Sequence, residues 1–152
     1  MALHLNPNIL QLRCSKSQQV YSTEILDRPV GLCDCCPAPG KPLLFEYDLP
    51  KVDVTDWRSD QPPRGMFKFS SLLPVNGVDP KFAADVGGTA IVHSDEISEI
   101  LDTDTCAMLE GANPSGSFKD RGLAMAVALA STLGARRLCL PTQGNAGVAA
   151  SL

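Results

Sequence analysis

The sequence predicts an α/β fold, and two observations carry that prediction. From Thr105 onward the pattern runs strand, loop, long helix, strand, loop, and both loops are polar and rich in glycine. Strand, helix and strand in that order make a βαβ unit with parallel strands and a right-handed crossover. The loops leaving such strands lie on one edge of the sheet, where α/β proteins take ligands. Composition agrees, since 44% apolar and 20% charged residues suit a chain that buries a core.

The first eighty residues are dense in turn formers and read as short elements. Residues 12–14, 20–22 and 43–47 are expected as strands, the last closed by Asp48 and Pro50. Residues 56–58 and 67–73 read as short helical turns before Pro74, and Gly87-Gly88 as a tight turn. In the informative half, residues 105–109 (TCAML) form a short apolar strand and residues 111–116 (GANPSG) a turn-rich loop. Ser117 and Asp120 then make S-x-x-D, a capping box for the free N–H groups of a helix start. The helix should run from Phe118 to about Leu133, because Leu123, Ala126, Val127, Ala130 and Leu133 recur at helical spacing and Gly134 is a natural stop. Residues 137–140 are the next strand and 141–147 (PTQGNAG) the next loop. On this reading Lys119 and Asn145 stand near one another on the ligand edge.

Charge excludes some partners. Thirteen basic against seventeen acidic residues give a net charge of −4, with no basic run to meet the phosphates of a nucleic acid or an anionic membrane. No apolar run approaches the roughly 18 residues needed to span a bilayer. The N-terminus carries no secretory or transit pattern, so a cytoplasmic location is expected, and with it thiols rather than disulfides for the six cysteines.

Lys119 falls in the first helical turn, where the positive end of the helix dipole disfavours an ammonium and so favours the neutral amine that Schiff-base chemistry requires. The spacing around Ser117 does not fit a nucleotide P-loop, because Phe118 separates it from Lys119, and no G-x-G-x-x-G is present.

Residues 113–122 (NPSGSFKDRG) closely resemble the N-P-T-G-S-F-K-D-R-G segment of threonine synthases, with Ser115 alone departing and keeping the hydroxyl. Residues 43–49 (LLFEYDL), Trp57-Arg58, residues 72–75 (LLPV) and Gly87-Gly88-Thr89 resemble further landmarks of that family in the same order. The resemblance covers most of the chain from about Cys33. It implies a fold type II pyridoxal-phosphate enzyme, tryptophan synthase β-like and incomplete, with residues 1–50 as an N-terminal extension and 51–152 as the beginning of the cofactor domain. It also implies that Lys119 holds pyridoxal 5'-phosphate and later moves protons, and that Asn145 bonds the ring 3′-oxygen. Thr142, Gln143, Gly144 and Ala146 would meet the substrate carboxylate, and Phe118 would pack beside the cofactor or in the core, with the core expected.

The implied reaction converts O-phospho-L-homoserine and water to L-threonine and phosphate, through a cofactor that serves as an electron sink. Gln143 and Ala146 depart from the family's S-T-G-N-T. Other members therefore stay open, such as a cysteate synthase or a dehydratase, as does a non-catalytic scaffold in which Lys119 is idle. The expected partner is a small amino-acid substrate, and a homodimer is admitted for a full-length enzyme. A later loop for the cofactor phosphate is missing, so the 152-residue chain by itself is expected to have little or no activity.

Cys14, Cys33, Cys35 and Cys36 form a second constellation. Many threonine synthases begin with a C-x-x-C…C-x-x-C zinc ribbon, and the extension resembles one in degenerate form, with Ser17 standing where a thiolate belongs. Cys14, Cys33 and Cys36 are candidate ligands, Cys35 would need strained geometry, and free thiols without zinc are the expectation. Cys106 and Cys139 read as core packing on strands. His4 and His93 stand alone, in surface or core roles, and Trp57 is a packing anchor.

Overall fold

The computed structural model describes residues 4–27, 32–58, 65–78 and 85–152. It divides into two compact units: Met1–Ser59 with Phe69–Val78 and Ala128–Arg137, and Asp60–Lys68 with Asp79–Val127 and Leu138–Leu152.

The first unit is built on an antiparallel sheet of three strands, β2 (Ile9–Cys14) in the centre, flanked by β3 (Val20–Tyr21) and β4 (Leu43–Tyr47). Strand alternation puts Leu12 and Cys14 on the buried face, where Leu12 pairs with both Phe45 and Tyr21 across the ladder. On β2 itself, Arg13 and Gln11 reach Glu46 of the neighbouring strand. A second ladder joins β1 (His4–Leu5) to β5 (Val75–Asn76). It is fastened by buried Asn6, whose amide donates to the carbonyls of Ser70 and Leu73 at 2.8 Å each, while its backbone N–H donates to Pro74. The expected strands at 12–14, 20–22 and 43–47 are all present. The two expected helical turns appear as 3-10 turns, Thr55–Arg58 and Gly65–Leu72. Trp57 anchors packing as expected, edge-on to Phe69 at 5.3 Å with its indole N–H donating to Ser71.

In the second unit, β6 (Ile91–His93) pairs antiparallel with β7 (Cys106–Met108), and the short helix α1 (Asp95–Leu101) joins them. The long helix α2 (Lys119–Thr132), which belongs to this unit as far as Val127 and to the first from Ala128, is followed by the short α3 (Asn145–Ser151). The helix stop is as read from the sequence: Gly134 sits at φ +80°, its N–H donates to Ser131, and the Ala135 N–H reaches back to Ala130, a Schellman closure.

Several expectations are corrected. Residues 137–140 form no strand, so the βαβ unit with a parallel sheet is not built; a strand exists only as part of a ladder, and no described segment pairs with these exposed residues. β7 instead closes an antiparallel ribbon with β6, which the sequence reading passed over. The buried stripe of α2 is Asp120, Ala124 and Ala128, at i, i+4 and i+8, rather than the larger side chains expected, and Ala126 is exposed. Cys106 and Cys139 are exposed, the first on the uncovered face of a two-stranded ribbon and the second outside any strand. His93 is not alone: Asp95 lies 3.0 Å from its Nδ1 and Asp104 2.6 Å from its Nε2, a clamp on the surface that ties the start of α1 to the end of its own loop.

Candidate cofactor site

Lys119 is the first residue of α2, and three interactions fix the loop that delivers it. The Ser117 hydroxyl accepts the Lys119 N–H at 3.2 Å, capping the helix. Asp120, buried to 1% exposure, reaches back past the cap and accepts both the N–H of Ser115, at 2.8 Å, and its hydroxyl. The capping box is therefore half formed, because the acid closes on Ser115 and not on Ser117. A carboxylate in the first turn also lies at the positive end of the helix dipole, which favours its charge. Asn113, itself buried, accepts the Gly87 N–H through its side-chain carbonyl and donates to Glu110.

An ion pair then locks this loop to the end of β7. Arg121 donates to both oxygens of Glu110, at 2.6 to 3.1 Å, and to the hydroxyl of Thr89 at 2.9 Å. The guanidinium holds the Glu110 carboxyl down at about 2, helped by the Asn113 amide and the Thr89 hydroxyl. The Gly87-Gly88-Thr89 turn and the lysine segment are thus physically joined, although they are thirty residues apart. Sequence reasoning missed this network; the only signal for it was the pair of charges, Glu110 and Arg121, flanking the loop.

The Lys119 side chain is exposed, and among the described residues its ammonium pairs with no carboxylate. It lies over the Phe118 ring, 4.6 Å from the centroid. Phe118 is 60% exposed, which overturns its expected place in the core. The second loop ends at Gly144, with φ 135°, and Asn145 opens α3. Thr142 folds that loop on itself, accepting the N–H groups of Gly144 and Gly147 at 3.0 and 2.9 Å. Among the described residues, the N–H groups of Gln143, Asn145 and Ala146 meet no protein acceptor.

The two helices share the walls of one cavity of about 190 Å³. Pro114, Asp120 and Ala124 line it from the lysine segment and α2, Ala149 and Leu152 from α3, and Asp85 and Val86 from the glycine turn. Neither Lys119 nor Asn145 lines it. The structure therefore brings the helices of the two loops together, and it does so without the parallel sheet from which their nearness was expected; no hydrogen bond joins the loops themselves among the described residues.

Away from this site, the thiols of Cys14, Cys33, Cys35 and Cys36 lie within 4.8 Å of one another. The Ser17 hydroxyl and N–H hold the Cys14 thiol down to about 5, and burial pushes the Cys36 thiol up to about 12. Cys35, discounted on sequence, is a full member of the group.

Comparison with known proteins points the same way as the lysine segment. Residues 83–152 match the family described as pyridoxal-phosphate dependent enzymes. A threonine synthase from Bacillus sp. (strain ULM1) is 38% identical over 89 residues, 58% of this chain and 25% of the relative. Those of Methanosarcina acetivorans and Methanocaldococcus jannaschii are 28% and 27% identical over 142 and 134 residues, 93% and 88% of this chain. The chain spans between 25% and 33% of the length of these relatives. No solved structure matches. Among the described residues, no helix is long and apolar enough to cross a membrane. The lysine loop, its helix and the glycine turn all fall inside the matched segment: residues 83–152 are similar to pyridoxal-phosphate dependent enzymes, and the chain is similar to threonine synthases.

Proposed function

We propose that this chain holds pyridoxal 5'-phosphate on Lys119 and contributes that half-site to a lyase resembling threonine synthase, acting on O-phospho-L-homoserine and water to give L-threonine and phosphate. The observation that carries the reading is the lysine itself. It opens a 14-residue helix, its preceding loop is tied down at Ser115, Asn113 and Ser117, and its amine is accessible and unpaired with any carboxylate among the described residues. A surface lysine with no task would not need a loop so thoroughly anchored.

When bound, the cofactor supplies an electron sink for negative charge beside the substrate nitrogen. The chain supplies the rest. Lys119 would hold the group through its side-chain amine and, when that amine is free, would take or return a proton at the carbon next to the substrate amine. Asn145, in the first turn of α3, would hold the cofactor ring. Thr142 keeps its loop closed by accepting the Gly144 N–H, and the N–H groups of Gln143, Asn145 and Ala146 are offered to the substrate carboxylate.

The test is reduction with borohydride after adding pyridoxal phosphate, followed by mapping of the labelled residue. A label confined to Lys119 and lost in Lys119→Ala supports the reading; labelling spread over several lysines refutes a preformed half-site. Gln143 and Ala146 favour one second reading, a relative acting on a hydroxylated or differently phosphorylated amino acid. Released phosphate against released ammonia, measured with pyridoxal phosphate present, separates the two.

A further inference from the structure

We propose, resting on the reading that Lys119 and Asn145 hold pyridoxal phosphate, that Thr142 is a positioning residue of that site and not a contact to substrate: its hydroxyl is spent inside its own loop, where it sets the backbone of Asn145. A hydroxyl carries one proton and two acceptor positions. In Thr142 all three are used. The oxygen accepts the Gly144 N–H at 3.0 Å and the Gly147 N–H at 2.9 Å, and the hydroxyl donates to the Gly144 carbonyl oxygen at 3.2 Å. No proton is left for a carboxylate, which needs a donor. Thr142 is exposed, so water is at hand for the same groups, and the hydroxyl still turns back on its own backbone.

The two N–H groups that it holds flank Asn145 and Ala146. Gly144 stands at φ 135° and ψ −88°, a backbone that glycine adopts without strain. Three residues on, Gly147 leaves no room for a side chain, because a Cβ there would stand 2.9 Å from the Thr142 Cγ2 methyl carbon. The Gly147 N–H lies between two acceptors, the Thr142 hydroxyl and the Gly144 carbonyl, each at 2.9 Å. One side-chain oxygen thus ties down both ends of the segment from Gly144 to Gly147, and with it the backbone from which the Asn145 side chain springs. Gln143 and Ala146 carry no hydroxyl, so with Thr142 occupied the loop meets a ligand with amide groups alone.

Thr142→Val keeps the branched shape and removes the hydroxyl; Thr142→Ser keeps the hydroxyl. Amide hydrogen exchange on the chain without cofactor reads the loop. In Thr142→Val the Gly144 and Gly147 amides should exchange roughly 2- to 12-fold faster, the range of one neutral hydrogen bond. The amides of α2 should be unchanged in the same experiment, and Thr142→Ser should exchange as the parent does.

Titration with pyridoxal phosphate, followed by absorbance, reads the cofactor site. Thr142→Val should lose affinity by a similar factor, roughly 2- to 12-fold, and Thr142→Ser should restore it. In an Asn145→Ala background the valine should cost nothing further, because it acts through that residue. Parent-like exchange at both glycines in Thr142→Val overturns the proposal, as does a loss of affinity that adds in full to that of Asn145→Ala or that serine fails to rescue. Scattered borohydride labelling of the parent removes the cofactor reading instead, and exchange at Gly144 and Gly147 then still decides whether Thr142 shapes the loop.

Discussion

Replacing Asp120 by alanine should loosen the loop that presents Lys119, and the structure sets the size of the effect. The Asp120 carboxylate accepts two hydrogen bonds from Ser115, one from its N–H and one from its hydroxyl, and is itself 1% exposed. A hydrogen bond to a charged group contributes about 1.5 to 3 kcal/mol, and a carboxylate in the first helical turn adds about 0.3 to 1 kcal/mol against the dipole. Ser115 is only half-buried, so water recovers part of the loss. The net cost of Asp120→Ala is then about 2 to 3 kcal/mol. At about 1.4 kcal/mol per factor of ten, amide exchange at Ser115 should quicken roughly 30- to 150-fold. Asp120→Asn keeps the volume and one acceptor oxygen, and should fall between alanine and the parent. Amide hydrogen exchange resolved by residue is the assay. If Ser115 in Asp120→Ala exchanges within about threefold of the parent, under 1 kcal/mol, the clamp is not what holds the lysine loop.

Glu110 should titrate near 2 in the folded chain, against an ordinary value of 4.5, because Arg121 stabilises its charge. Its folded value is the lower one, so its contribution to stability is complete above about pH 4.5 and is lost as the pH falls toward 2. Carboxyl carbon NMR checks the value, and Arg121→Met should return it toward the ordinary one. Asn6→Ala removes two donors from the carbonyls of Ser70 and Leu73 and should destabilise the first unit by about 1 to 3 kcal/mol in urea unfolding. Gly134→Ala places a Cβ at φ +80° in open space, so strain alone should cost about 1 to 2 kcal/mol, measured by thermal melting.

Local chemistry made part of this protein legible from its letters. β4 lies where a mostly apolar run between turn formers puts it, α2 ends at Gly134 because only glycine takes that backbone without cost, and Lys119 stands at a helix start because Ser117 caps it. Each of those rests on neighbours within a few residues, which is the range over which sequence pattern is informative. The tertiary structure decided what depends on contacts distant along the chain. Whether residues 137–140 become a strand turns on a ladder partner, and none is present among the described residues. Asp120 chose Ser115 over Ser117, Glu110 found Arg121 and Thr89, and Cys35 joined three other thiols, because burial and hydrogen-bond geometry in three dimensions, not spacing along the chain, determine which polar groups meet.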